Sequence, residues 1–72
     1  DSDFEKARLN LALLLCRAKR FQLGLEAYRH VLRTSPEHPV AWNGIGVVLA
    51  DLKKYEDARN AFARAIQARP DY

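Results

Sequence analysis

The 72-residue chain has no methionine, one cysteine, one tryptophan, three glycines and three prolines. Each shortage closes off a class of structure. A lone thiol, Cys16, cannot form an internal disulfide, and no second cysteine supplies a Cys-x-x-Cys redox motif or zinc-site spacing. The apolar run Leu11 to Cys16 is far too short to span a bilayer, which takes about 20 residues. No small-residue cleavage site follows it, so neither a membrane span nor a targeting signal is read. The glycines form no phosphate-cradling loop: no strand-like stretch precedes them and no Lys-Ser or Lys-Thr pair follows. The strict alternation of a half-buried strand is missing as well. With Asp1 first and methionine absent, the sequence reads as a segment excised from a longer protein, and its compartment stays open.

The residues that are present describe helices. Hydrophobic residues make up 49% of the chain and charged residues 29%, the balance of one small soluble globular unit. At this size a single core barely suffices without disulfides, a metal or neighbours. Ser2 and Glu5 have the spacing of a capping box and predict a first helix over about Glu5 to Ala18. The stretch KRFQ interrupts it. A second helix is predicted from Gln22 to Arg33, with Leu25, Tyr28, Val31 and Leu32 on one face. TSPEHP stops that helix, because Pro36 lacks the amide a helix interior uses, whereas Pro39 suits the first turn of the next. The third helix is predicted from Val40 to Leu52. KKYED then turns the chain, and Ala58, Phe62, Ala65 and Ile66 mark the buried face of a fourth helix that ends before Pro70.

Sliding the sequence along itself exposes an internal repeat. Pro36 and Pro70 lie 34 residues apart, and the same offset pairs Leu15 with Leu49, Lys19 with Lys53, Tyr28 with Phe62, and Leu32 with Ile66. The chain therefore divides into a leader, residues 1–4, and two copies of one helical hairpin, residues 5–38 and 39–72. In the second copy Trp42, Ile45, Gly46, Leu49, Ala58, Phe62, Ala65 and Pro70 stand at spaced positions that resemble the signature of the tetratricopeptide repeat. The first copy matches more loosely through Leu11, Ala12, Leu15, Gly24, Tyr28, Val31 and Pro36, with Arg8 in place of the tryptophan.

The resemblance implies an all-α fold: two tandem helix-turn-helix hairpins forming a short right-handed solenoid. It places Gly46 against the second helix of its own hairpin, opposite Ala58, and pairs Ala12 with Gly24 in the same way in the first copy. Gly44 is expected on the groove side, where its missing side chain opens a shallow pocket; the alternative is a glycine that merely faces solvent. Phe21, Tyr28, Trp42, Tyr55 and Phe62 are expected in core or turn packing.

The family's concave groove falls on Lys6, Leu9, Asn10, Leu13 and Arg17 in the first copy and on Val40, Asn43, Gly44, Val47 and Asp51 in the second. The implied function is a scaffold that binds a peptide or helix of a partner protein there, with no cofactor, no metal and no reaction of its own. Asn10 and Asn43 can each donate and accept toward a peptide backbone, and the aliphatic residues suit apolar side chains. Leu13 and Val47 could instead be consumed in packing first helix on first helix. A clamp for a carboxylate-ended peptide is poorly supplied, since Lys6 and Asn10 fit it but Val40 and Gly44 do not. The alternative function is self-association, because Leu49, Ala61, Phe62 and Ala65 would stand uncovered at one end of so short a stack.

Nucleic-acid binding ranks third. The net charge is +3 with histidine neutral; Arg29, His30 and Arg33 cluster on the second helix, Lys19, Arg20, Lys53 and Lys54 sit at the turns, and Arg59, Arg64 and Arg69 lie near Glu56 and Asp57. That scatter reads as a solvated outer face. His30 and His38 are expected without a nucleophile and orienting carboxylate.

Overall fold

The computed structural model describes residues 2–68 and contains four helices: α1 Ser2–Arg17, α2 Phe21–Thr34, α3 Pro39–Asp51 and α4 Tyr55–Gln67. Among the described residues there is no strand, and no helix is long and apolar enough to cross a membrane. The expected stop at Pro70, and Arg69 with it, lie outside the described residues.

Three-residue turns fold α1 onto α2 and α3 onto α4, and connections that short lay the partners antiparallel. The third helix then packs on both helices of the first hairpin. The two turns are built alike. Lys19 and Lys53 adopt the left-handed conformation, with φ of 63° and 65°. In the first, the Arg20 amide donates to the Leu15 carbonyl at 2.8 Å and the Lys19 amide to Cys16 at 2.9 Å. The second repeats this with Lys54 to Leu49 at 2.8 Å and Lys53 to Ala50 at 2.9 Å. These paired bonds form a Schellman motif, which satisfies carbonyls left free at a helix end. Pro39 opens α3, where its missing amide costs nothing.

The first helix starts at Ser2, three residues before the expected start at Glu5. Its Glu5 carboxylate has other partners: it accepts a hydrogen bond from Ser35 and lies 3.6 Å from His38 Nε2. One carboxylate thus ties α1 to the loop joining the hairpins. Phe21 and Gln22 fall inside α2, and Tyr55 with Glu56 and Asp57 inside α4, so each turn is tighter than KRFQ and KKYED suggest.

The core is made largely of small side chains, which lets helix backbones approach closely. Ala12, Ala27, Ala41 and Ala61 are buried together with Leu25, Tyr28, Val31, Ile45 and Val48. Gly24 faces α1, where an added Cβ would lie 2.5 Å from Cys16 Sγ and 3.4 Å from the Ala12 carbonyl. Gly46 faces α4 as expected, but a Cβ added there would meet the Phe62 ring first, at 2.6 Å, rather than Ala58. A ring fills the space that alanine was expected to share. Trp42 packs half-buried against the core, its indole N–H donating to the Pro36 carbonyl at 2.9 Å and the Arg64 guanidinium lying 4.8 Å over its ring.

Two expected core assignments change. Ile66 is 69% exposed, and Tyr55 is exposed as well, although their counterparts Leu32 and Phe21 pack against the core. The second hairpin has no following helix pair to cover those positions among the described residues. Ala61 and Ala65 are nevertheless buried within their own hairpin, with Leu49 and Phe62 half-buried. Leu11 also departs from the signature pattern, being 46% exposed where its counterpart Ile45 is 5% exposed.

Candidate functional site

In α1 the positions 9, 13 and 16, and in α3 the positions 40, 44 and 47, fall on one side of each helix because they are three or four residues apart. With the two helices side by side, these faces enclose a cleft of about 280 Å³. Leu9, Asn10, Leu13 and Cys16 line it from α1, and Val40, Asn43, Gly44, Val47 and Val48 from α3, with Tyr28 of α2 at its base. Seven of the ten expected groove residues therefore share one cavity. Lys6, Arg17 and Asp51 do not line it and are exposed.

Gly44 does not leave an empty pocket, nor does it merely face solvent. A Cβ there would lie 2.2 Å from Tyr28 Cζ, so the ring of the first hairpin already fills the space that glycine vacates. That ring couples the two hairpins and forms the cleft's base. Sequence reasoning missed Cys16, Tyr28 and Val48 as lining residues.

The lining carries no charged side chain. Leu13, Val40 and Val47 are each more than two-fifths exposed, so they are not consumed by packing α1 on α3. Burial pushes the Cys16 thiol above its ordinary value, with the Asp51 carboxylate adding to the effect. The Tyr28 phenol is likewise pushed up, by burial first and then by Cys16. Both groups therefore keep their protons at neutral pH. The cleft offers an aliphatic wall, a neutral base and two amides with free donors and acceptors.

His38 is not isolated from a carboxylate, contrary to expectation, because Glu5 lies beside its Nε2. Ser35, however, donates to the same carboxylate rather than to the imidazole, whose Nδ1 is buried without a hydrogen-bond partner. The Ser35 hydroxyl is therefore not activated by the ring. Among the described residues, no three His, Cys, Asp or Glu side chains gather where they could hold a metal ion.

A larger cleft, about 770 Å³, lies between α2 and α4 with Trp42, Ile45 and Leu49 of α3 as its floor. Its α2 wall is formed by Gln22, Leu25, Arg29 and Leu32, and its rim includes Lys54, Asp57 and Arg64. This side carries charge; the α1/α3 side does not.

The sequence profile of the tetratricopeptide repeat family matches residues 4–72. The chain is similar to the peroxisomal targeting signal receptor of Saccharomyces cerevisiae, 31% identical over 65 residues covering 90% of this chain and 11% of the relative. The receptor of the same name from Eremothecium gossypii matches to the same extent. Superkiller protein 3 of Schizosaccharomyces pombe is 36% identical over 62 residues, covering 86% of this chain and 4% of the relative. The chain thus spans about a tenth or less of the relatives it resembles.

Proposed function

The chain belongs to the tetratricopeptide repeat family, and on that footing we propose that it binds a segment of another protein in the cleft between α1 and α3. Apolar side chains of the segment lie on Leu13, Val40 and Val47, and its backbone amides pair with Asn10 and Asn43. The observation that carries this reading is an uncharged lining whose three aliphatic residues stay open to water. Such exposed apolar surface gains by being covered. Lys6 and Arg17 on α1 and Asp51 on α3 stand outside the cleft and bias the direction in which a charged segment lies. A carboxylate-ended peptide is a poor fit, since Val40 and Gly44 offer no cation or amide to its terminus. The receptors among the relatives bind, by name, a targeting signal; only the general mode, a protein segment as ligand, is taken from them here. No catalytic step is assigned to the chain.

Selection of linear peptides from a random phage-displayed library, followed by titration of a synthetic binder, tests the proposal. Each lost amide pair costs about 1 kcal/mol. Asn10→Ala combined with Asn43→Ala is therefore expected to weaken binding about 10- to 30-fold without moving the urea midpoint. Unchanged affinity in that double variant, or chemical-shift changes confined to Arg29, Arg33 and Arg64, would reject the cleft as the site.

A further inference from the structure

The α2/α4 cleft has an incomplete twin at the other end of the molecule. A groove of about 530 Å³ runs over α1 and α2, with Leu11, Leu15 and Leu23 among its nine lining residues. Every one of the nine has its counterpart 34 residues later lining the α2/α4 cleft. What the twin lacks is the wall that α2 supplies to the complete cleft: the ridge of Gln22, Leu25, Arg29 and Leu32.

Among the described residues, α4 carries the equivalent of that ridge with its side chains exposed. Moving 34 residues along from the α2 wall gives Glu56, Arg59, Ala63 and Ile66, all of them exposed. Burial follows the presence or absence of a neighbour: Leu32 is half-buried where the ridge is seated whereas its counterpart Ile66 is exposed, and in the groove Leu11 is exposed where its counterpart Ile45 in the complete cleft is buried. One charge pair favours the join, while Arg59 of the ridge opposes it by entering a groove lined by Arg8, Arg29 and Arg33 against a single acid, Glu26. Gln22 and Lys54 share the internal cleft, and their counterparts across the new junction are Glu56 and Arg20, of opposite sign.

We propose that a second copy of this chain docks head to tail, its α4 ridge entering the α1/α2 groove in the register that α2 already holds against the second hairpin. The interface is heterologous: each copy uses one face to give and a different face to receive, so association continues beyond a dimer. Arg59 stands where the internal interface has Leu25, which makes the contact weaker than the internal one and visible mainly at high concentration. The α1/α3 cleft takes no part in the contact, so this proposal and the peptide-binding reading stand or fall separately.

Sedimentation velocity of the whole chain, from about 10 μM to about 1 mM, tests the proposal. The expected result is a weight-average mass that rises from the 8.2 kDa monomer without levelling at twice that value. Ile66→Lys spoils only the ridge and Leu23→Lys only the groove; both positions are exposed, so far-UV ellipticity is expected to be unchanged. Each variant alone is expected to lose association at least 10-fold. An equimolar mixture is expected to form a one-to-one dimer that grows no further, since each dimer has one intact junction and two spoiled ends. A constant 8.2 kDa mass at every concentration, association untouched by the substitutions, or a mixture that stays monomeric would each overturn the proposal.

Discussion

The cost of adding a methyl group to each glycine depends on whether its neighbour can move. At Gly44 the added Cβ meets the Tyr28 ring at 2.2 Å, and that ring is held at 5% exposure between the hairpins. At Gly46 it meets the Phe62 ring at 2.6 Å, but Phe62 is only half-buried, so fewer neighbours hold its ring in place. At Gly24 it meets the Cys16 thiol, the end of a side chain with one rotatable bond. Alanine recovers about 1 kcal/mol of helix propensity, while overpacking costs about 1–3 kcal/mol. Gly44→Ala is therefore expected to destabilise by about 1–2 kcal/mol net, Gly46→Ala less, and Gly24→Ala hardly at all, read from urea midpoints. Any order in which Gly44 is not the most sensitive contradicts the account. The roles of Gly24 and Gly46 in close helix approach follow from the resemblance to the repeat family, which sets each against the partner helix of its own hairpin. That of Gly44 was not legible, because its partner lies on the preceding hairpin, and no pattern within one helix reports contacts between hairpins. Cys16 supplies a second test at this scale. Its raised pKa means that the folded state holds the thiol proton more tightly than the unfolded chain does. The associated stability is fully present below the ordinary thiol range and is lost as the pH rises through the folded value. Alkylation by iodoacetamide at pH 8 is expected to be slower in the folded protein than in urea; equal rates would contradict the burial of this thiol.

Element boundaries follow from backbone chemistry that the sequence states only in part. Both hairpin turns place a lysine in the left-handed region, a conformation costing a residue with a Cβ about 1–2 kcal/mol. Glycine removes that cost. Lys19→Gly and Lys53→Gly are each expected to stabilise the chain by about 1 kcal/mol, with additive effects on the urea midpoint because the turns lie in separate hairpins. A loss of stability in either would show that the lysine side chain makes a contact that outweighs its backbone strain. The pairing of Lys19 with Lys53 in the repeat register located both turns, yet nothing in KRFQ or KKYED announced a left-handed residue, since glycine usually marks that position. Glu5 has the right spacing to reach back to Ser2, but it is engaged by Ser35 and His38, about 30 residues away, and local spacing cannot register such competition.

At the scale of the molecule, two hairpins with little bulk in their cores depend on each other. The largest fully buried side chains are only valines, Val31 and Val48. Tyr28 is the large residue shared across the junction, since its ring enters the Gly44 space. Tyr28→Ala removes that shared ring at a cost of about 3–5 kcal/mol, comparable with the whole stability of a single small core, and is expected to uncouple the hairpins or unfold both. The twofold repetition can be read from the 34-residue register and the helices from their apolar periodicity, whereas the seven expected groove residues that line the α1/α3 cleft follow from the resemblance to the repeat family and not from spacing. Which end surfaces remain uncovered could not be read, because that depends on neighbours rather than on the pattern. The position of Trp42 makes the dependence measurable. As the protein's one indole, held by Pro36 and Arg64, it is a lamp wired to the second hairpin, and excitation at the red edge, where tyrosine is dark, leaves the first unlit. Emission that fades in step with far-UV ellipticity in the parent chain, but out of step in Tyr28→Ala, would turn a single photophysical trace into a gauge of how firmly one repeat leans on the other.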